Sequence, residues 1–195
     1  THHGIFDINY LRCIPNLIVF APRNEVELRN MMYTAQLGLK NPIAIRYPRG
    51  RGMLLDWEKP FSIIEIGKAV SIKEGVNIAV LTIGTIVNNV IKAIENCLIP
   101  CEVSCYDMRF IKPLDETLLH IIFKKYNTII TVEDGILLGG FGSAILEFAA
   151  KNNYSIPIKN LGISDEFPCQ GTIDELKEIA GISSDKITQT LNYYL

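Results

Sequence analysis

Apolar runs and amphipathic stretches alternate along the chain, and each run predicts an element. "NLIVFAP", from Asn16 to Pro22, is a continuous apolar run ended by proline, so it reads as a buried strand. Asn24 follows, with Glu27 three residues on, a pairing that starts a helix. Leu28, Met31, Met32, Ala35 and Leu39 would share one face of it. "PIAIRYPRGRG" reads as a strand running into a Pro/Gly turn. Between Arg51 and Gly67 the pattern loses its period, and we assign residues 54–70 to a linker.

Beyond the linker the alternation restarts. Strand "NIAVLTIG" precedes a helix carrying Val87, Val90, Ile91, Ile94 and Leu98 on one stripe. Strand "EVSCYDM" leads to a helix opening at Asp115, where Leu114 and Leu119 can form a hydrophobic staple. Strand "TIITVED", the loop "GILLGGFGS" and a helix to about Lys151 come next. Strand "IPIKNLGI" leads to two short helices, one opening with the Thr172–Glu175 capping box and one with Ile187, Leu191 and Tyr194 on one side. Alternating strands and helices imply an α/β fold with a largely parallel sheet covered on both faces.

Composition narrows the function class. Hydrophobic residues make up 48% of the 195 and charged residues 21%, with a net charge of −2 and no charge block. That balance gives no footprint for nucleic acid or a membrane surface. The longest apolar stretches are interrupted by Asn, Thr and Lys, so none is expected to span a bilayer. Five cysteines, an odd number lying in or beside apolar segments, fit a reducing compartment better than a disulfide framework. Cys97, Cys101 and Cys105 have no nearby histidine and no zinc spacing, so they read as buried free thiols and no metal site is expected.

The candidate chemistry lies elsewhere. Gly135, Gly139, Gly140 and Gly142 fall between a strand and a helix, where backbone amides can hold a phosphate, but they match neither G-x-G-x-x-G nor a P-loop. Close helix–strand approach is the alternative for them. His120, among apolar residues on an amphipathic helix, reads as a packed histidine. Arg49 stands at the carboxyl end of the "AIRYPRG" strand, the edge where open α/β sheets gather ligands. Its guanidinium, stiffened by Pro48, suits bidentate capture of a phosphate or carboxylate, with a surface ion pair as the alternative. "THHG" at the start offers two imidazoles that exchange protons near neutral pH.

"THHGIFDINYLRCIPNLIVFAP", "NEVELRNMMYTA", "AIRYPRG", "YDMRFIKPLD" and "VEDGILLGGFGSAILE" occur together and in order, and in them the chain resembles the 1-deoxy-D-xylulose-5-phosphate synthases of the transketolase superfamily. The resemblance implies the end of a thiamine-diphosphate pyrimidine-binding domain over residues 1–53. A three-layer transketolase C-terminal domain with a mostly parallel five-stranded sheet would follow over 71–195. It also implies that the chain is the rear part of a longer enzyme, with Asp-Gly-Pro just before Thr1. That enzyme would be a cytoplasmic homodimer using thiamine diphosphate and Mg²⁺ to condense pyruvate with glyceraldehyde 3-phosphate. Its product would feed isoprenoid, thiamine and pyridoxal synthesis. His2 then matches an active-site histidine near the reacting carbons, with His3 beside it, and Arg49 matches the arginine that grips the substrate phosphate. The cofactor and metal motifs and the activating glutamate would lie upstream, leaving this piece inactive alone. A freestanding phosphate-binding module on the "GGFGS" loop and a non-catalytic assembly domain are the competing readings.

Overall fold

In the strand "NIAVLTIG" every residue after Asn77 is apolar or small, so alternation cannot choose a wet face and both faces must be covered. The computed structural model describes residues 3–50, 52 and 58–195, and it covers this strand on both sides. β4 (Ile78–Thr82) sends Ile78 and Val80 to one core and Ala79 and Leu81 to another. β7 (Thr128–Ile136) divides likewise, with Ile130 and Val132 on one side and Ile129 on the other.

Around these two strands β5 (Val103–Asp107) and β8 (Ile158–Ile163) lie parallel, and β3 (Val70–Lys73) closes one edge antiparallel. The order β3-β5-β4-β7-β8 is the mostly parallel five-stranded sheet that the family resemblance implied. One face packs against α3 (Val87–Asn96) and α7 (Ser184–Tyr194), the other against α4 (Glu116–Lys125) and α5 (Phe141–Lys151). A short helix, α6 (Ile173–Ile179), precedes α7 and carries both halves of the Thr172–Glu175 capping box.

A second, three-stranded sheet has the order β2-β1-β6, from β1 (Ile18–Phe20), β2 (Ile43–Ile45) and β6 (Phe110–Lys112). β1 and β2 are parallel, whereas β6 arrives antiparallel from the far half of the chain. The crossing occurs because Arg109, with φ of 57°, turns the backbone sharply after β5. Phe20 and Phe110 then meet with ring centroids 5.0 Å apart. Val19 and Ala21 point the other way, into the same core as Leu81, Phe141 and Ile145. The front of the chain and the five-stranded sheet therefore share one hydrophobic core.

Three details depart from the pattern. In α2 (Glu25–Gln36), Asn24 caps as expected, accepting from the Glu27 amide at 3.0 Å. Yet Met32 is exposed, and the buried face is Glu27, Asn30, Met31 and Thr34. These polar groups bind specific partners: Asn30 holds both amide and hydroxyl of Ser62, and the Thr34 hydroxyl accepts from the Ile64 amide at 2.9 Å. So the aperiodic stretch after residue 58 runs against α2 rather than hanging free. The stripe of α3 stops at Ile94, since the helix ends at Asn96 and Leu98 is exposed beyond it. Finally, α1 (Asp7–Arg12) is a short helix without a side-chain cap, which the apolar pattern does not announce.

Candidate active-site surface

The ends of three segments converge where the two sheets meet: α1, the carboxyl end of β2, and the crossing from β7 into α5. Arg46 joins them. Its Nε donates to Asp7 Oδ2 at 2.6 Å, one of its terminal nitrogens donates to the Asp134 carbonyl at 3.1 Å, and its own amide donates to the Phe20 carbonyl. A charge-assisted pair of this kind, mostly shielded from water, is directional enough to fix the approach of two backbones.

α1 is fastened further along its length. The Ile136 amide donates to the Ile5 carbonyl at 3.0 Å. Asn9 donates to the Leu138 carbonyl, and Arg12 donates to the carbonyls of Gly139 and Gly140 while pairing with Glu147 at 2.6 Å. Ile8 closes the contact from within the core. The residues that lead into the histidine pair are thus bound to the five-stranded sheet's own crossing loop.

That loop decides the glycine question. Glu133, fully buried at the sheet's end, accepts from the Phe141 amide at 2.7 Å and the Gly142 amide at 2.8 Å. The first amides of α5 are therefore held by the protein's own carboxylate. A Cβ on Gly142 would come within 2.7 Å of the Thr131 hydroxyl and of Asn160, and one on Gly140 would strike the Glu133 carboxylate and the Ile136 carbonyl. Close approach explains these glycines, and Gly135 belongs to β7 rather than to a loop. Burial pushes the Glu133 carboxyl up to about 7, against the opposing pull of the two amides and of Arg46 and Arg12.

A second buried acidic group sits nearby at the β5–β6 turn. Arg109 donates twice to Glu27 Oε1, at 2.8 and 2.5 Å, and its amide donates to Asp107 Oδ1 at 3.0 Å. Burial raises the Asp107 carboxyl to about 7, helped by the charge of Glu27 and opposed by Arg109 and Arg23. This ion pair ties α2 to the strand that crosses between sheets.

The residues singled out from the sequence fall as follows. His2 lies outside the described residues. His3 has its ring 5.8 Å from that of Phe167, in the loop after β8. Arg49 is exposed in the bend after β2, and its side chain has no partner among the described residues. It stands three residues beyond Arg46, and His3 stands four before Asp7. The Arg46–Asp7 bond therefore anchors both segments within about 10 and 15 Å of extended chain. His120 is a packed helix histidine, its Nδ1 2.8 Å from the Tyr154 hydroxyl. Cys97 and Cys105 are buried free thiols as expected, the latter raised to about 12 by burial, but Cys101 is exposed, because it lies in the short turn Pro100–Glu102 before β5 rather than in the core.

The residues that sequence reasoning missed are Asp7, Arg12, Arg46, Glu133 and Phe167. Arg46 was visible only as part of the "AIRYPRG" string. Glu133 had a usable signal: an acid ending an apolar strand eight residues before glycine-flanked helix amides.

Residues 67–187 match the family model described as transketolase, C-terminal domain, and residues 1–53 match that described as transketolase, pyrimidine binding domain. The chain belongs to the transketolase family. Within it, the chain is 52% identical over 193 residues to 1-deoxy-D-xylulose-5-phosphate synthase of Phocaeicola vulgatus, covering 98% of this chain and 30% of that protein. The synthase of Vibrio campbellii is 40% identical over 195 residues, covering 100% of this chain and 31% of its own length. The chain thus spans about a third of the curated relatives it matches. Among solved structures, a split-gene transketolase described as an inactive beta4 tetramer superposes with a TM-score of 0.83 at 25% identity, over all of this chain and 62% of that one. Transketolase from Campylobacter jejuni gives 0.71 at 20% identity, over 97% of this chain and 28% of that one, a likeness of fold.

Proposed function

We propose that this chain works as part of a 1-deoxy-D-xylulose-5-phosphate synthase, which joins two carbons of pyruvate to glyceraldehyde 3-phosphate with loss of CO₂. The observation that carries the reading is identity of 40–52% across essentially the whole chain to proteins of that name. The geometry supports it. Arg49, without a partner among the described residues, stands at the carboxyl edge of a parallel strand pair, where its guanidinium can take the aldehyde's phosphate in two hydrogen bonds. Holding the remote phosphate orients the aldehyde carbon for reaction. His2, on the segment that α1 anchors, is assigned to positioning substrate and moving a proton at the reacting carbons.

The described residues do not fit thiamine diphosphate or Mg²⁺. The glycine-flanked amides of α5 already serve Glu133, and no group of three His, Cys, Asp or Glu gathers among the described residues. We assign both groups to parts of the enzyme outside this chain, as the family resemblance implies. The same occupied amides weigh against a phosphate module on the "GGFGS" loop. No helix among the described residues is long and apolar enough to cross a membrane. We assign the complete enzyme to the cytoplasm as a homodimer, and its product to isoprenoid, thiamine and pyridoxal synthesis.

The test is CO₂ release from pyruvate in the presence of glyceraldehyde 3-phosphate, for this chain alone and for the complete enzyme. Activity is expected only from the complete enzyme, lowered in turnover by His2→Ala. Full turnover in that variant, or none in the complete wild-type enzyme, would refute the assignment.

A further inference from the structure

Phe167 is a large apolar side chain left 74% exposed, and such a residue alone needs no explanation. Its neighbours supply one. Its ring meets two others, both in the histidine segment: His3 at 5.8 Å and tilted by 59°, and Phe6 at 5.7 Å and edge-on at 73°. Both arrangements are within the range in which aromatic rings attract.

The loop that presents Phe167 is shaped for projection. Pro168 holds the preceding residue extended, and the Glu166 amide donates to the Ser164 carbonyl at 2.7 Å just before it. The histidine segment, by contrast, is tied to the five-stranded sheet at Ile5, whose carbonyl accepts from the Ile136 amide. Gly4 and Ile5 form a turn next to that tie, and a Cβ on Gly4 would meet nothing within 4 Å, so no side chain packs against the backbone there. Among the described residues, Phe167 is the side chain that touches the His3 ring.

We propose that Phe167 is a positioning residue, an aromatic wall lent by the C-terminal domain that holds the His3 ring and so steadies the segment that leads to His2. The inference rests on the reading of His2 as an active-site group, and it gives the C-terminal domain a part in turnover. Removing the ring takes away the contact on His3 and leaves the segment only its turn at Gly4 and Ile5 and the Ile5 hydrogen bond, so fewer molecules hold His3 in place at any moment. Phosphate capture by Arg49 is untouched.

The experiment uses the complete enzyme with Phe167→Ala, Phe167→Tyr and His2→Ala, measured for kcat, for KM toward glyceraldehyde 3-phosphate, and for Tm. Phe167→Ala should lower kcat about threefold to tenfold, the size expected for loss of one or two aromatic contacts. KM for the aldehyde and Tm should stay at wild-type values, because the side chain is exposed and distant in role from the phosphate. Phe167→Tyr, which keeps the ring, should restore kcat. Wild-type kcat in Phe167→Ala beside an impaired His2→Ala would overturn the proposal and leave the His2 reading intact. A kcat loss that tracks a fall in Tm, or that Phe167→Tyr fails to restore, would also overturn it by making the role structural. Wild-type kcat in His2→Ala would remove the reading beneath it.

Discussion

Replacing Glu133 with glutamine keeps the side chain's shape and removes its charge. In the folded protein burial raises this carboxyl from 4.5 to about 7. Between those values the folded state keeps a proton that the unfolded chain has released. Raising the pH through that window therefore favours unfolding, and the loss is complete once the folded carboxyl has ionised. The displacement corresponds to about 3 kcal/mol of stability lost between pH 4.5 and pH 8. Glu133→Gln has no proton to lose there, so it should gain about 3 kcal/mol on wild type over the same interval. Asp107 titrates in the same window, but it is present in both proteins and cancels in their difference. Urea unfolding of each protein at the two pH values measures this, with unchanged m confirming that the same surface is exposed. A wild-type-to-variant difference that is flat with pH, or that moves in favour of wild type, would refute the argument that burial outweighs the two amides.

Two further outcomes follow from the buried groups. Arg109→Met leaves the Glu27 carboxylate buried without its ion pair and should cost about 3 kcal/mol in urea unfolding, much of it recovered by Glu27→Gln in the same chain. Three of the five thiols, Cys13, Cys101 and Cys169, should react with a thiol reagent at pH 8 in the folded protein, and all five after unfolding, since Cys97 and Cys105 are buried with raised thiol pKa values.

The central strands were legible because apolar residues dominate them, and the helix starts because Asn24, Asp115 and Thr172 each bond the backbone three residues on. Leu114 and Leu119 likewise reach one core, as a staple at that helix start suggests. β3 and β6 were not legible: at four and three residues they are too short for a period, and their pairing depends on distant partners. The buried face of α2 hid for another reason. Its inward groups are Glu27, Asn30 and Thr34, whose burial is repaid by hydrogen bonds to a segment about thirty residues away, so hydropathy points to the wrong side. At the candidate site, string resemblance singled out His2 and Arg49. The residues that anchor their segments, Arg46 and Arg12, reach Asp7, Asp134 and Glu147 far along the chain, so no local spacing marks them.

The central claim is that Arg49 takes the phosphate of an aldehyde substrate on a surface that α1 helps to build. In the complete enzyme, Arg49→Ala should raise KM for glyceraldehyde 3-phosphate by about tenfold to a hundredfold, the scale of a lost charge-assisted pair. KM for pyruvate should hold, and the preference over unphosphorylated glyceraldehyde should collapse. An Arg49→Ala enzyme that keeps both its KM for the phosphorylated aldehyde and that preference would contradict the account.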